Sequence, residues 1–162
     1  MLVRKIDSKD IQTIKSIYNH YIINTLVSFE EQPVSAEEMQ TRVEKVTSLG
    51  LPWLVAEKNG EVVGYAYAGS WNPRSAYKNS AEITVYLSHQ HLGKGWGSRL
   101  YQQLFQELER TQVHTVIGGI ALPNNASVAL HEKFGLTKVA HYKEVGYKFG
   151  QWIDVGYWQK LL

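Results

Sequence analysis

The sequence predicts an α+β fold in which helices flank a mixed, mostly antiparallel central sheet. Asn59-Gly60 stands between two apolar runs, residues 53–57 and 62–68, which is the pattern of a tight β-hairpin. Strand-like and helix-like segments are mixed along the chain instead of alternating strictly. This order favours a mostly antiparallel sheet over a doubly wound parallel one.

The N-terminal half is predicted to contain a strand and two helices before the hairpin. Residues 2–6 read as a short strand, and Asp7 or Ser8 caps the helix that follows. A loop spans residues 25–33. The second helix covers residues 35–48, because it opens with the capping-box pattern Ser-Ala-Glu-Glu.

The C-terminal half is predicted to hold four strands and two helices. In chain order these are strand 82–87, helix 98–109, strand 113–120, a short helix that follows residues 123–125 and ends near 134–135, strand 138–148 and strand 152–159. Gly135 fits the end of the short helix, and Gly150 fits the turn between the last two strands. No linker or repeat interrupts the chain, so we expect a single domain over residues 1–162.

The composition excludes several classes of function. The net charge is only +2 and no basic block stands out, which argues against nucleic acid as the main partner. No apolar run is long enough to span a membrane, so we expect no membrane partner. The chain has no cysteine, which excludes disulfides, thiolate metal sites and a cysteine nucleophile. We expect a cytoplasmic protein.

The most informative segment is residues 90–98, Gln-His-Leu-Gly-Lys-Gly-Trp-Gly-Ser, which separates a strand from a helix. Closely spaced glycines let the backbone approach a ligand, and a helix start adds unpaired N–H donors. Together they favour a phosphate or pyrophosphate. A Walker loop is excluded because Gly95 follows Lys94, and the dinucleotide fingerprint is excluded because Ser98 replaces a glycine.

The spacing of Gln90, Gly93 and Gly95 instead resembles the acetyl-CoA loop of the GNAT superfamily of N-acetyltransferases. Residues 122–136 are similar to the superfamily's later helix, where an asparagine begins a CoA-binding helix. Three further segments resemble the phosphinothricin N-acetyltransferase family: residues 27–30, 71–77 and 146–158. The resemblance covers nearly the whole chain in order.

This resemblance implies a homodimeric enzyme that transfers an acetyl group from acetyl-CoA, without a metal. The acceptor is the α-amino group of phosphinothricin or a related small amino acid, such as methionine sulfoximine or methionine sulfone. Because the thioester is already activated, the amine attacks it directly. The protein then has to hold both reactants, remove a proton and stabilise the oxyanion. The alternatives are another small amine as acceptor, or a non-catalytic acyl-CoA sensor on the same fold.

The cofactor is expected to contact mainly backbone atoms. The loop N–H groups bind the phosphates, Lys94 either adds charge or is solvated, and the strand before the loop pairs with the pantetheine arm. Asn124 either contacts CoA, as the resemblance implies, or caps a helix. The predicted cofactor-binding residues are Val85, Tyr86, Leu87, Gly93, Lys94, Gly95, Trp96, Gly97, Ser98 and Asn124.

Two residues are predicted to be catalytic. Glu82 opens the strand that leads to the loop, shares one strand face with Thr84 and Tyr86, and matches the family's catalytic base. His131 stands where many superfamily members have a tyrosine that acts as general acid. It either carries a proton or packs in the core. Tyr101 is predicted to be a core residue.

The acceptor needs a cation for its carboxylate or phosphinate, and Arg74 is the best candidate. Tyr77, Phe29 and Glu30 are pocket walls by resemblance, and Lys148 in the family-like closing hairpin is a candidate for added charge. For each of these residues, and for Arg74, the alternative is an ordinary loop or surface residue. The predicted substrate-binding residues are Phe29, Glu30, Arg74, Ser75, Tyr77 and Lys148. A metal site at His89 and His91 is not expected, because no carboxylate pattern accompanies the pair.

Overall fold

The computed structural model describes residues 2–162. Within this range seven strands form one sheet in the order β1-β2-β3-β4-β5-β7-β6. They are β1 (Leu2–Lys5), β2 (Trp53–Lys58), β3 (Glu61–Ser70), β4 (Ser80–Leu87), β5 (Thr115–Leu122), β6 (Thr137–Lys148) and β7 (Gln151–Leu161). Every neighbouring pair is antiparallel except β4 and β5. The predicted α+β fold with a mostly antiparallel sheet is therefore confirmed.

Helices cover both faces of the sheet. They are α1 (Ile11–Asn24), α2 (Ala36–Ser48), α3 (Trp96–Leu108) and α4 (Asn125–Lys133). In β2, Trp53 and Val55 face the core under α1 and α2, whereas Leu54 and Ala56 face the core under α3. This period of two is what a strand buried on both faces requires. None of the helices in residues 2–162 combines the length and apolarity needed to cross a bilayer.

The parallel pairing between β4 and β5 is short. It joins Ser80 to Thr115, Ala81 to Val116 and Glu82 to Ile117, and then it stops. Beyond this point β4 continues to Leu87 paired with β3, and β5 continues paired with β7. The two strands therefore separate towards their carboxyl ends and leave a wedge-shaped opening in the middle of the sheet.

Several element boundaries differ from the sequence predictions by one or two residues, and two of these differences have a clear physical cause. Helix α3 begins at Trp96, two residues before Ser98, because Gly95 turns the chain with φ 80° and the Trp96 side chain is anchored in the core. Hydrophobic periodicity does not reveal this first turn, because Gly97 and Ser98 interrupt the apolar pattern after Trp96. Strand β5 covers Thr115–Leu122 instead of residues 113–120. The amides of His114 and Thr115 both donate to the carbonyl of Asn79, which starts this strand beside β4.

Candidate active site

Two adjoining cavities fill the wedge. The first, which we call the loop cavity, has a volume of about 570 Å³ and is lined by the C-terminal end of β4, the glycine loop and α4. The second, the carboxylate cavity, has a volume of about 470 Å³ and lies along β4 beside residues 27–30. Its lining includes Glu30, Glu82 and His131. The cavities share Val85, Tyr86 and Asn124, among other residues, so they are two parts of one cleft.

The glycine loop shapes the loop cavity through its backbone. Gly93 and Gly95 have φ angles of 71° and 80°, in the left-handed region where residues with a Cβ are strained. A Cβ at either position would meet no atom within 4 Å, so the glycines serve the turn and leave the space above it open. The first amides of α3 follow at once and have no acceptor within the helix. This arrangement fits the diphosphate of a coenzyme.

Two lysines lie near this loop. Lys94 is exposed, and its Nζ donates to the carbonyl of Gln90 at 3.2 Å. Lys133, at the end of α4, lines the loop cavity and donates to Ser98 Oγ at 3.0 Å. Lys133 is not predicted from the sequence, because nothing local distinguishes it from a solvated lysine. The side chain of Trp96 is buried in the core, so only its backbone is available to the cavity.

Strand β4 presents its free edge to the wedge. Beyond Glu82 this edge has no β5 partner, so backbone polar groups near Val85 are available to an amide-rich ligand arm. The Leu87 carbonyl already accepts from the Tyr21 hydroxyl. Asn124 lines both cavities, and its side chain accepts from the Ser127 amide at 3.2 Å. The helix-cap interpretation of Asn124 thus holds, and the residue also lies in the cleft.

Glu82 lies in the carboxylate cavity at the point where β4 and β5 separate. Thr84 and Tyr86 line the same cavity. Burial raises the pKa of the Glu82 carboxyl, since a partly dry site disfavours its charged form. Such a shift brings a carboxylate closer to the working range of a general base at neutral pH.

His131 is only 3% exposed and forms a buried pair with Tyr101. Its Nδ1 lies 2.7 Å from the carbonyl oxygen of Ser127, and its Nε2 lies 3.0 Å from the Tyr101 hydroxyl. A carbonyl can only accept, so Nδ1 carries the proton and Nε2 accepts from Tyr101. Burial lowers the pKa of His131, which keeps the imidazole neutral. Gly118 permits this packing, because a Cβ there would lie 2.6 Å from the ring.

Tyr101 is a core residue, as predicted, and it also borders the site. It is fully buried on α3 and lines the carboxylate cavity. Burial raises the pKa of its hydroxyl, so the group remains a neutral hydrogen-bond donor. A tyrosine on the apolar face of a helix gives no local indication of the histidine that it meets.

Glu30 is held by a network at the wall of the carboxylate cavity. Arg42 on α2 donates from Nη1 to Oε2 at 2.8 Å and from Nη2 to Oε1 at 2.6 Å. The Tyr18 hydroxyl contacts the same carboxylate and lies 3.0 Å from Ser28 Oγ. The Arg42 guanidinium is the main cause that lowers the pKa of Glu30. Phe29 also lines the cavity.

Four predicted acceptor-binding residues lie outside both cavities. Arg74, Ser75 and Tyr77 are exposed on the loop between β3 and β4. Lys148 is only 2% exposed, and its ammonium donates to the carbonyls of Ile22 and Ser28 at 2.8 and 2.7 Å. Its predicted direct contact with the acceptor is therefore not supported, because this charge instead ties β6 to the loop that carries Glu30.

Comparison with known proteins agrees with this geometry. Residues 3–156 match the family described as "Acetyltransferase (GNAT) domain". Over 158 residues the chain is 41% identical to the phosphinothricin N-acetyltransferase of Streptomyces viridochromogenes, covering 98% of this chain and 86% of that protein. It is 36% identical to the L-methionine sulfoximine/L-methionine sulfone acetyltransferase of Salmonella typhimurium, covering 100% of this chain and 95% of that protein.

A solved structure shows the same architecture. The GNAT superfamily phosphinothricin acetyltransferase of Sinorhizobium meliloti, solved in complex with acetyl-CoA, superposes with a TM-score of 0.96 at 33% identity. The match covers 99% of this chain and 88% of that one. The open wedge, the glycine loop and these matches agree: the chain belongs to the GNAT family of acetyltransferases and is an acetyl-CoA-dependent N-acetyltransferase.

Proposed function

We propose that this enzyme acetylates the α-amino group of small amino acids of the phosphinothricin type, namely phosphinothricin, methionine sulfoximine and methionine sulfone. The observation that carries the proposal is the position of Glu82. A half-buried carboxyl with a raised pKa lies where the two strands part, in a cavity that adjoins the glycine-loop cavity. The names of the relatives in Streptomyces and Salmonella support this acceptor class.

The donor would be held by the loop cavity. The amides from Gly93 to Ser98 bind the diphosphate, with Lys94 and Lys133 adding positive charge. The free edge of β4 from Val85 to Leu87 pairs with the amides of the pantetheine arm, and Asn124 borders both. When bound, acetyl-CoA supplies an activated acetyl thioester.

The proton chemistry is assigned to the carboxylate cavity. Glu82 takes a proton from the acceptor ammonium, directly or through a water. Its raised pKa lies closer to the pKa of an α-amino group, about 8, than that of an ordinary glutamate does. His131 has an Nε2 lone pair that faces Tyr101, so it can receive a proton only through that hydroxyl. Backbone N–H groups on the free edge of β4 stabilise the oxyanion.

The acceptor is assigned to the wall formed by Phe29 and Glu30 and to the loop at the start of β4. Phe29 supplies apolar surface, and Glu30 supplies an ionised carboxylate. In the part of the chain that the structure describes, the Arg74 guanidinium makes no side-chain hydrogen bond or ion pair. We therefore propose that Arg74 receives the acceptor's carboxylate, with Ser75 and Tyr77 beside it.

A homodimer is proposed on the basis of the β6–β7 hairpin. Its large apolar side chains are unusually exposed, with Trp152 at 65%. The exposed large apolar residues of this hairpin are Val139, Tyr142, Val145, Tyr147, Phe149, Trp152 and Leu161. Light scattering of the purified protein at micromolar concentration tests this assignment. A second copy that covers this surface should give twice the chain mass, and a Trp152→Glu variant should shift it towards the monomer.

The proposed biological role is detoxification in the cytoplasm by a single acetyltransferase domain over residues 1–162. Acetylation removes the positive charge of an α-amino group, so a toxic amino-acid analogue no longer fits a site that binds an ammonium. The cytoplasm supplies the acetyl-CoA that this reaction consumes. Protection of cells that express the chain, and loss of protection in an inactive variant, would support this role.

An acceptor screen with a thiol-release readout tests the proposed activity. The panel contains phosphinothricin, methionine sulfoximine, methionine sulfone, a diamine, an aminoglycoside and a peptide with a free N-terminus. We expect turnover with the first three compounds. Turnover only with a cationic amine or the peptide would reject the acceptor class. Tight acetyl-CoA binding by calorimetry without any turnover would instead favour the acyl-CoA sensor.

A further inference from the structure

We infer that Arg42, which lies outside the cleft, selects zwitterionic amino acids over cationic amines by neutralising Glu30. This inference rests on the proposed function, because it concerns which amine enters the carboxylate cavity. Arg42 has no place in the sequence analysis. It lies on α2, separated from Glu30 by the turn before that helix.

The contact between Arg42 and Glu30 is a paired, charge-assisted interaction. Both terminal nitrogens of the guanidinium donate to the carboxylate, at 2.8 and 2.6 Å, and each side chain is about one third exposed. Arg42 Nε donates to Glu38 one helical turn earlier, at 3.0 Å, which fixes the guanidinium plane. Such fork-to-fork geometry is specific to arginine. Arg42 is thus oriented to hold Glu30 in place.

The charges that face the acceptor explain the consequence of this pair. Among the described residues that line the carboxylate cavity, the acidic ones are Glu30 and Glu82, and none is lysine or arginine. His131 is neutral, and the remaining ionisable groups are the hydroxyls of the lining tyrosines. With Arg42 in place, the Glu30 charge is compensated from behind, so the lining of this cavity presents one net negative charge to the acceptor's ammonium, on Glu82. Arg74, which lies outside the cavity, faces the acceptor's carboxylate.

One negative charge suits an acceptor whose ammonium is balanced by its own carboxylate. Two uncompensated carboxylates would instead attract an amine with two positive charges. Arg42 therefore acts as a specificity-determining residue that rejects diamines without touching them. The net charge of the cavity thus sets the specificity: it leaves the affinity for an amino acid nearly unchanged and lowers the affinity for a diamine.

The test measures kcat/KM for 1,5-diaminopentane and for methionine sulfone, and uses their ratio as the readout. Arg42→Met should raise the diamine-to-sulfone ratio about tenfold over the wild type at low salt. The rise should shrink as salt is added, because screening weakens exposed charges. The KM for acetyl-CoA should remain unchanged. A loss of structural integrity alone would lower kcat/KM for both acceptors by the same factor and leave their ratio unchanged.

Three further variants keep the inference falsifiable if Arg42→Met folds poorly. Glu30→Gln removes one negative charge from the wall and leaves Arg42 paired only with Glu38, so the ratio should fall at least severalfold below the wild-type value. The double variant Glu30→Gln/Arg42→Met removes both charges and should restore the ratio to near the wild-type value. Glu38→Gln is the matched control, because it removes a negative charge beside Arg42 that lies outside the cavity but keeps an acceptor oxygen for Arg42 Nε, so the ratio should stay unchanged.

The possible outcomes separate this inference from the proposed function. If the wild-type enzyme acetylates no amino acid on the panel, the proposed function fails first. If the wild type acetylates methionine sulfone but the ratio does not rise in Arg42→Met and does not fall in Glu30→Gln, the inference is wrong. Opposite shifts in these two single variants, with recovery in the double variant, establish it.

Discussion

The two halves of the cleft are built in different ways. The loop cavity is formed largely by main chain, namely the turn at Gly93 and Gly95, the first amides of α3 and the free edge of β4. The carboxylate cavity is formed by side chains that distant contacts hold in place, such as Glu30 by Arg42 and His131 by Tyr101. Recognition of the donor is therefore encoded locally, whereas selection of the acceptor depends on tertiary pairs.

The largest effect that separates the two halves should come from Glu82→Gln. We expect kcat/KM for methionine sulfone to fall by about 10²–10⁴-fold while acetyl-CoA affinity stays unchanged, because only proton removal is lost. Steady-state kinetics and calorimetry measure the two quantities. An active Glu82→Gln enzyme at neutral pH would reject the assignment of the base.

The pH profile sharpens this prediction. Burial raises the pKa of Glu82, so the protonated, inactive form persists to higher pH than for an ordinary glutamate. The wild-type rate should therefore fall as pH decreases through the raised pKa of Glu82. This fall on the acidic side of the pH–rate profile should be absent in Glu82→Gln. The same shift means that the ionised carboxylate costs stability above its ordinary pKa. Glu82→Gln should therefore unfold at a slightly higher temperature near pH 7.

The next largest effect should come from Gly95→Ala and be confined to the donor. A residue with a Cβ at φ 80° costs about 1–2 kcal/mol, so the loop relaxes and acetyl-CoA affinity should fall by roughly 5–30-fold. Calorimetry with acetyl-CoA measures the loss. Gly50→Ala is the matched control, since Gly50 has φ 73° at the end of α2. That variant should lose stability and keep its affinity, and an equal loss of affinity in both would contradict the role of the loop.

Arg74→Ala should produce a smaller effect, confined to the acceptor. Loss of one charge-assisted contact to a carboxylate predicts a rise of about tenfold in the KM for methionine sulfone. The KM for acetyl-CoA should not change. Lys78→Ala, on the same loop, provides the control and should leave both constants unchanged. An unaltered acceptor KM in Arg74→Ala would remove this residue from the site.

The smallest kinetic effect is expected from Tyr101→Phe. This change removes the donor to Nε2 of a buried histidine, so the free energy of unfolding should fall by about 1–3 kcal/mol. Denaturant unfolding measures the loss, and Tyr65→Phe serves as the comparison because Tyr65 is buried without a contact to His131. If kcat/KM falls by much more than the loss of stability can explain, the Tyr101 hydroxyl moves a proton. If the free energy of unfolding falls no more than in Tyr65→Phe, the hydrogen bond between Tyr101 and His131 does not contribute to stability.

Sequence reasoning was strongest where the information is local. The spacing of Gly93 and Gly95 between a strand and a helix predicted the loop, and Asn59-Gly60 predicted the hairpin, both of which the structure contains. The family resemblance points to Glu82 and His131, and the structure brings both residues into one cavity. Their roles in catalysis remain predictions.

One wrongly assigned residue, Lys148, and one residue that was not predicted, Arg42, both depend on tertiary contacts. Lys148 resembles a surface cation in a strand, but its ammonium is buried and donates hydrogen bonds to the carbonyls of Ile22 and Ser28. Arg42 reads as part of a solvated helix face, and its bond to Glu30 depends on how α2 packs. No periodicity or motif encodes such partners, because their geometry exists only after the chain has folded.

The short junction between β4 and β5 has a mechanical consequence. Three residue pairs join a four-stranded segment, β1 to β4, to a three-stranded one formed by β5, β7 and β6. Thermal fluctuations should open the molecule first along this seam, so amides of β4 beyond Glu82 should exchange with solvent sooner than those in the centre of β3. A ligand that contacts both β4 and β5 would hold the two segments together. Its binding would stabilise the whole sheet against opening along this seam.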